Sequence, residues 1–195
     1  MTAQRLWDVA FTGTLTLMAG VALIGETTDA VRAGVLLTLA NIGVFYAGFG
    51  RRGIYELAPN ARPGHAGAAL SLRLVAVMGC GVTTAASPDQ ATLQSLVFPL
   101  LWVLAPSIRA AVTWNVAFTL VMVAALTIGL GGTLTVVPQA AFIEGLALVF
   151  ALALGFWITQ VTVTAQQQRA LVAELTAAQG ELAALHRARP VSGTL

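Results

Sequence analysis

The sequence predicts an all-α integral membrane protein with about six transmembrane helices followed by a cytoplasmic coiled-coil helix. Three observations point there. Hydrophobic residues make up 57% of the 195 residues and charged residues only 9%, a balance that a soluble domain of this length could not carry without large apolar surface patches. The apolar residues gather into runs near the roughly 20 residues that cross about 30 Å of hydrocarbon at about 1.5 Å per residue. One long polar segment, Thr159 to Arg189, carries a regular heptad period instead.

Six stretches approach spanning length: Leu6–Ile24, Ala33–Phe49, Ala68–Ala86, Ala91–Pro106, Ala111–Leu130 and Ala140–Ile158. The first follows a single early arginine, Arg5, and is interrupted at its flank by Trp7 and Asp8. With no small-x-small cleavage signature after it, it reads as a retained span rather than a signal peptide. The third and fourth are separated only by Ser87-Pro88-Asp89-Gln90, a tight turn, and the fourth contains Pro99 and Pro106. The loop Arg51–Gly67 is rich in proline and glycine, which argues against a folded soluble domain there. The resulting organisation is a six-span domain over 1–158, a coil over 159–189 and a disordered tail over 190–195.

Orientation follows from the basic residues, all arginine. With six spans, Arg5, Arg51, Arg52, Arg62, Arg73, Arg109 and Arg169 fall on one side and only Arg32 on the other, which makes that side cytoplasmic. Trp7, Trp102, Trp114 and Trp157 fall near the same ends, where indole rings favour the interface. The expectation is a multi-pass protein of the plasma membrane with both termini in the cytoplasm.

Beyond the last span, Leu171, Leu175, Ala178, Leu182 and Leu185 alternate steps of four and three, forming the seam of a coiled coil. Glu174 and Glu181 take g positions, with Gln179 and His186 at the following e positions, and a parallel dimer brings Glu181 near His186 of a second copy. The seam is short and contains Gly180, at a helix cost of roughly 1 kcal/mol, so the membrane spans are expected to share in dimerisation. Backwards, the register places Val161, Thr164 and Gln168 on the seam. No helix breaker stands between Leu146 and Gln168, so one helix is expected to leave the membrane and enter the coil.

Ionisable and polar residues inside spans are the candidate sites. Asn41, Asn115 and Glu144 are candidate intramembrane polar contacts, and Gln94 and Gln160 are of the same kind. Glu144 lies six residues past Pro138, a position that favours a wetted carboxylate at the mouth of the sixth span. Arg73 and Arg109 lie near helix ends, from which they are expected to snorkel to headgroups. Cys80, the sole cysteine, lies among small residues without ligand-spaced partners and reads as packing. Gly79, Gly81, Gly129, Gly131 and Gly132 lack the context of a phosphate loop and suit close helix approach or turns. No catalytic constellation, cofactor motif or metal-ligand set is expected, and no nucleic-acid partner.

Several spans with minimal loops, followed directly by LVAELTAAQGELAALHRA, resemble the input half of actinobacterial sensor histidine kinases of the DesK-like class, whose response regulators are of the NarL class. The resemblance is closest over Ala165–Ala188. It implies a membrane input module that relays a membrane or small-molecule stimulus through its last helix to a dimeric coil, with the lipid bilayer, a second copy and, indirectly, a full-length histidine kinase or response regulator as partners. It does not extend to catalysis, since after His186 and Arg187 the chain reads Ala188-Arg189-Pro190 and runs to Leu195. The phosphoacceptor box and nucleotide-binding motifs do not occur, and His186 has the wrong neighbours to be the phosphoacceptor. A truncated kinase gene, a shortened form or a stand-alone membrane partner are the expectations this leaves. The rival class is a small six-span transporter or channel-like protein in which Asn41, Asn115 and Glu144 line a polar cavity; against it, the two halves of the spans show no clear repeat.

Overall fold

The computed structural model describes residues 3–50 and 66–188. Within them the backbone is helical with short turns and no strand. Helix α1 spans Ala3–Ile24, α2 Asp29–Phe45, α3 Ala66–Ala86, α4 Gln94–Val103, α5 Ile108–Gly129 and α6 Val137–Ala188, with a π turn at Tyr46–Gly50 and a 3₁₀ turn at Pro88–Leu93. Four helical segments are long and apolar enough to cross a membrane: Asp29–Gly48, Ala69–Ala86, Ile108–Gly129 and Val137–Gly180.

Local chemistry sets these boundaries. Thr28 caps α2 by accepting from the backbone N–H of Val31, and Ser107 caps α5 by accepting from that of Ala110. Helix α5 ends where Gly131 and Gly132 take φ of 105° and 71°, and the Gly132 N–H returns 2.8 Å to the carbonyl of Thr127. Side chains with a Cβ resist that left-handed backbone, so glycine is what allows the turn. Threonines inside the apolar helices return their hydroxyls to the preceding turn: Thr14 to Ala10, Thr16 to Thr12 and Thr38 to Gly34. Each polar side chain is thereby satisfied without water.

The fourth expected span differs from expectation. In place of one helix over Ala91–Pro106, the chain forms the 3₁₀ turn and then only ten α-helical residues. Pro88 starts the turn and Pro99 withholds an N–H inside α4, leaving about 15 Å of α-helix, roughly half a bilayer. The apolar part of α1 is also shorter, Asp8–Ile24. Most of the expected loop, residues 51–65, and the expected disordered tail from Pro190 lie outside the described residues.

The chain divides into two compact units, Met1–Leu152 and Ala153–Leu195. In the first, α3 is central, packing most extensively on α5, then on α2, the 3₁₀ turn and the π turn. Close approach is built in at Gly79, where an added Cβ would stand 2.8 Å from the Ile42 Cδ1 of α2. Phe11, Leu72, Cys80, Leu101, Phe118 and Met122 form the deepest core, with Phe98 edge-on to Phe118 at 4.9 Å. Phe11 stacks on Tyr46 at 3.7 Å, and the Tyr46 hydroxyl donates to the Asp8 carboxylate at 3.1 Å, tying α1 to the end of α2.

The outside of this unit inverts the soluble pattern. Leu37, Met78, Leu120, Ile128, Phe142 and Phe150 are all exposed, while Gln90, Asn115 and Glu144 are buried. Such a surface suits hydrocarbon, not water. In the second unit the helix continues through Ala188, and Leu171 and Leu175 are exposed.

Candidate functional site

The site grows from one face of α6. Ala140 and Glu144 are fully buried, and Ala147, Leu148 and Ala151 pack against the core, so residues spaced by three and four turn inward. The opposite face carries Phe142, Leu146, Val149 and Phe150, all exposed. Small residues, Ala140, Ala147 and Ala151, line the inward stripe, and Glu144 is the one acid upon it.

This placement overturns the wetted carboxylate expected at the mouth of the span. Glu144 is 0% exposed, and neither carboxyl oxygen has a hydrogen-bond partner. Burying a carboxylate without a partner costs several kcal/mol, so its surroundings decide what it can do. The Gln94 side chain, from the first turn of α4, lies close enough to interact with that carboxyl, and the Gln94 Oε1 is itself buried and unpartnered. Cys80 of α3, also 0% exposed, is within electrostatic reach of Glu144 and interacts with Thr84 one turn on. The Thr84 hydroxyl makes no hydrogen bond either. Glu144 thus lies against Gln94 of α4 and within electrostatic reach of Cys80 of α3.

Among the described residues, Arg32 and Arg73, the arginines of this unit that are not exposed, are engaged elsewhere. Arg32, the exception to the expected arginine distribution, donates to the carbonyls of Ala22, Gly25 and Thr27 and pairs with Asp29 at 2.9 Å. It bonds to the carbonyl end of α1 and to the turn that follows, a structural role for this cation. Arg73 does not snorkel: it is 8% exposed, and its guanidinium lies 5.7 Å from the ring centroid of Trp114, a cation–π contact. Its Nε is buried without a hydrogen-bond partner. Arg109 is exposed.

The structure separates the three residues read as candidate polar contacts. Asn41 is exposed on α2 and does not join the buried set. Asn115 is 1% exposed, and its Nδ2 donates to the Ala111 carbonyl at 2.7 Å while its Oδ1 is unpartnered. It lies beside Trp114 in the first half of α5, whereas Glu144 interacts with Gln94 and lies within electrostatic reach of Cys80. Gln90 is a further buried amide, donating 3.3 Å to the Met18 carbonyl with its Oε1 unpartnered. Among the seam residues, Leu171, Leu175 and Ala178 are exposed; Leu182 and Leu185 lie in the helix, with side chains outside the described part. Among the described residues no three His, Cys, Asp or Glu side chains come together.

Sequence reasoning placed Cys80 as packing and Gln94 as an interhelical contact, and did not connect either to Glu144. The one local signal was Cys80 and Thr84 at a spacing of four on an apolar helix, which puts both on one face. No protein-family model, curated protein or solved structure matches the chain.

Proposed function

We propose that this protein is a multi-pass input module of the plasma membrane, crossing it six times with both termini cytoplasmic. It relays a membrane or small-molecule stimulus through α6 to a parallel two-stranded coiled coil formed with a second copy. The output side, a histidine kinase or its response regulator, is the partner class implied by the sequence resemblance.

The observation that carries this reading is the helix Val137–Ala188. It begins with a buried stripe bearing Glu144 and continues, without a break in the helix, to Leu171, Leu175 and Ala178, which are exposed. An apolar seam exposed on a single chain is what a partner helix covers. A polar start to the seam at Thr164 and Gln168 suits repacking between two states of similar energy.

Cysteine cross-linking in native membranes tests it. Leu171→Cys should form intermolecular disulfides readily, and Ala173→Cys, on the outer f position, should not. The Gln168→Cys yield should change with membrane thickness or temperature. Equal yields at 171 and 173 sink the coil, and yields at 168 that never vary sink the relay.

A second reading, a small transporter or channel-like protein, is favoured by buried Glu144 beside Gln94. Solute flux into proteoliposomes carrying the purified chain distinguishes it from an input module.

A further inference from the structure

The helix that leads to the seam is also the one held least closely by its own unit. Helix α3 packs extensively on α2 and α5, whereas among the described residues α6 makes no extensive backbone approach to any other element. It meets the bundle through its inward stripe, where Ala140 and Glu144 are buried and Ala147, Leu148 and Ala151 pack on the core. Glu144 is the only ionisable residue from Val137 to Gln168, so the charge of this interface on the α6 side is the charge of one carboxyl. That carboxyl is fully buried, and neither oxygen has a hydrogen-bond partner. The described elements around it offer no cation. Helix α3 carries Arg73 and Cys80, the 3₁₀ turn Asp89, α5 Arg109, and α4 no ionisable residue. Arg73 lies against Trp114, Asp89 and Arg109 are exposed, and Cys80 is a buried thiol. An ionised carboxylate at this interface would be an uncompensated charge out of water, which costs several kcal/mol.

We propose that Glu144 binds a proton while α6 is packed on the bundle, and that loss of this proton to water loosens the packing of residues 137–152. The proton removes the charge without a partner side chain, and the neutral acid fits a stripe that is otherwise apolar. Glu144 lies seven residues after Val137, about 10 Å along the axis, so opening of the first two turns of α6 brings water to it. Because α6 has no extensive backbone contact to overcome, a single charge is enough to shift its docking, and the proton acts as a ligand that favours the docked state. The stimulus is then acidity on the side of the membrane where α6 begins. Only the last step, transmission along α6 to the seam, rests on the input-module reading.

Two measurements separate the proton from its transmission. The first is thermal unfolding of the purified full chain in detergent micelles from pH 5.5 to pH 8.5, followed by the fluorescence of its four tryptophans. A proton held in the packed state and released on unfolding stabilises at low pH and ceases to do so as pH rises. The wild-type Tm should therefore fall by roughly 5 °C more over this range than that of Glu144→Gln, in which an amide replaces the neutral acid. Glu144→Leu should match Glu144→Gln in slope and takes its place if the amide variant does not fold. Parallel profiles for wild type and variant overturn the proposal, because every other titrating group is common to both. The second is the disulfide yield of Gln168→Cys in native membranes over the same pH range. Its ratio to the yield in the Glu144→Gln background should change with pH. A constant ratio beside a Glu144-dependent Tm keeps the proton and overturns its transmission. Equal yields at 171 and 173 sink the coil alone, and the Tm comparison still decides the proton.

Discussion

Glu144 and Arg73 are buried ionisable side chains with no salt bridge between them. Arg73 spreads its charge over the Trp114 ring, a contact worth on the order of 0.5–2 kcal/mol, so Trp114→Leu should lower Tm by a few degrees in micelles. An unchanged Tm would show that the ring contributes only volume. Arg32 bonds to three carbonyls at the end of α1 and in the turn that follows; Arg32→Ala should cost about 1 kcal/mol, measured by the same unfolding experiment. Gly129 illustrates packing set by backbone. A Cβ there would lie 2.8 Å from the Thr84 carbonyl oxygen and 3.0 Å from the Pro88 ring, atoms that cannot rotate away. Gly129→Ala should therefore destabilise by roughly 1–3 kcal/mol, and a neutral result would mean the end of α5 is free to shift.

Two helices show how local sequence chooses length. Helix α4 is short because the 3₁₀ turn precedes it and Pro106 stands just past its end, while the helix itself runs through Pro99. Helix α6 is long because nothing interrupts it: after Pro138, in its first turn, no proline occurs through Ala188. Gly180 is the weakest helix former in its polar stretch, and a Cβ added there would meet nothing within 4 Å. Gly180→Ala should add roughly 1 kcal/mol of helix stability and, under the proposed dimer, raise the disulfide yield of Leu171→Cys. A lower yield would mean that the break in propensity at Gly180 belongs to the active state.

Large apolar side chains exposed along the helices, with several polar ones buried among an apolar core, suit a hydrocarbon environment. Topology can be read by labelling, because the chain has one cysteine, Cys80, and it is 0% exposed. A membrane-impermeant maleimide should leave the wild type unmodified until it is denatured. Thr133→Cys and Gln167→Cys, both at exposed positions, should label from opposite sides of sealed vesicles, since one apolar stretch of α6 lies between them. Labelling from the same side would remove the α6 crossing and, with it, the cytoplasmic coil.

Composition and periodicity were enough to indicate a helical membrane chain, because spanning length and heptad spacing are properties of consecutive residues. The second, third, fifth and sixth expected stretches each fall within or largely overlap a helix long enough to span, and the glycines at the end of α5 were legible as a turn. The outcome at Asn41, Arg73 and Glu144 was not legible in that way. Whether a side chain on an apolar helix faces outward, an indole ring or a buried amide depends on rotation about the helix axis and on which helices pack beside it. Those are fixed by contacts between residues far apart in the chain: Arg73 with Trp114, Gln94 with Glu144, Gly79 with Ile42. Tertiary packing alone turned a carboxylate expected to be wetted into one buried beside Gln94.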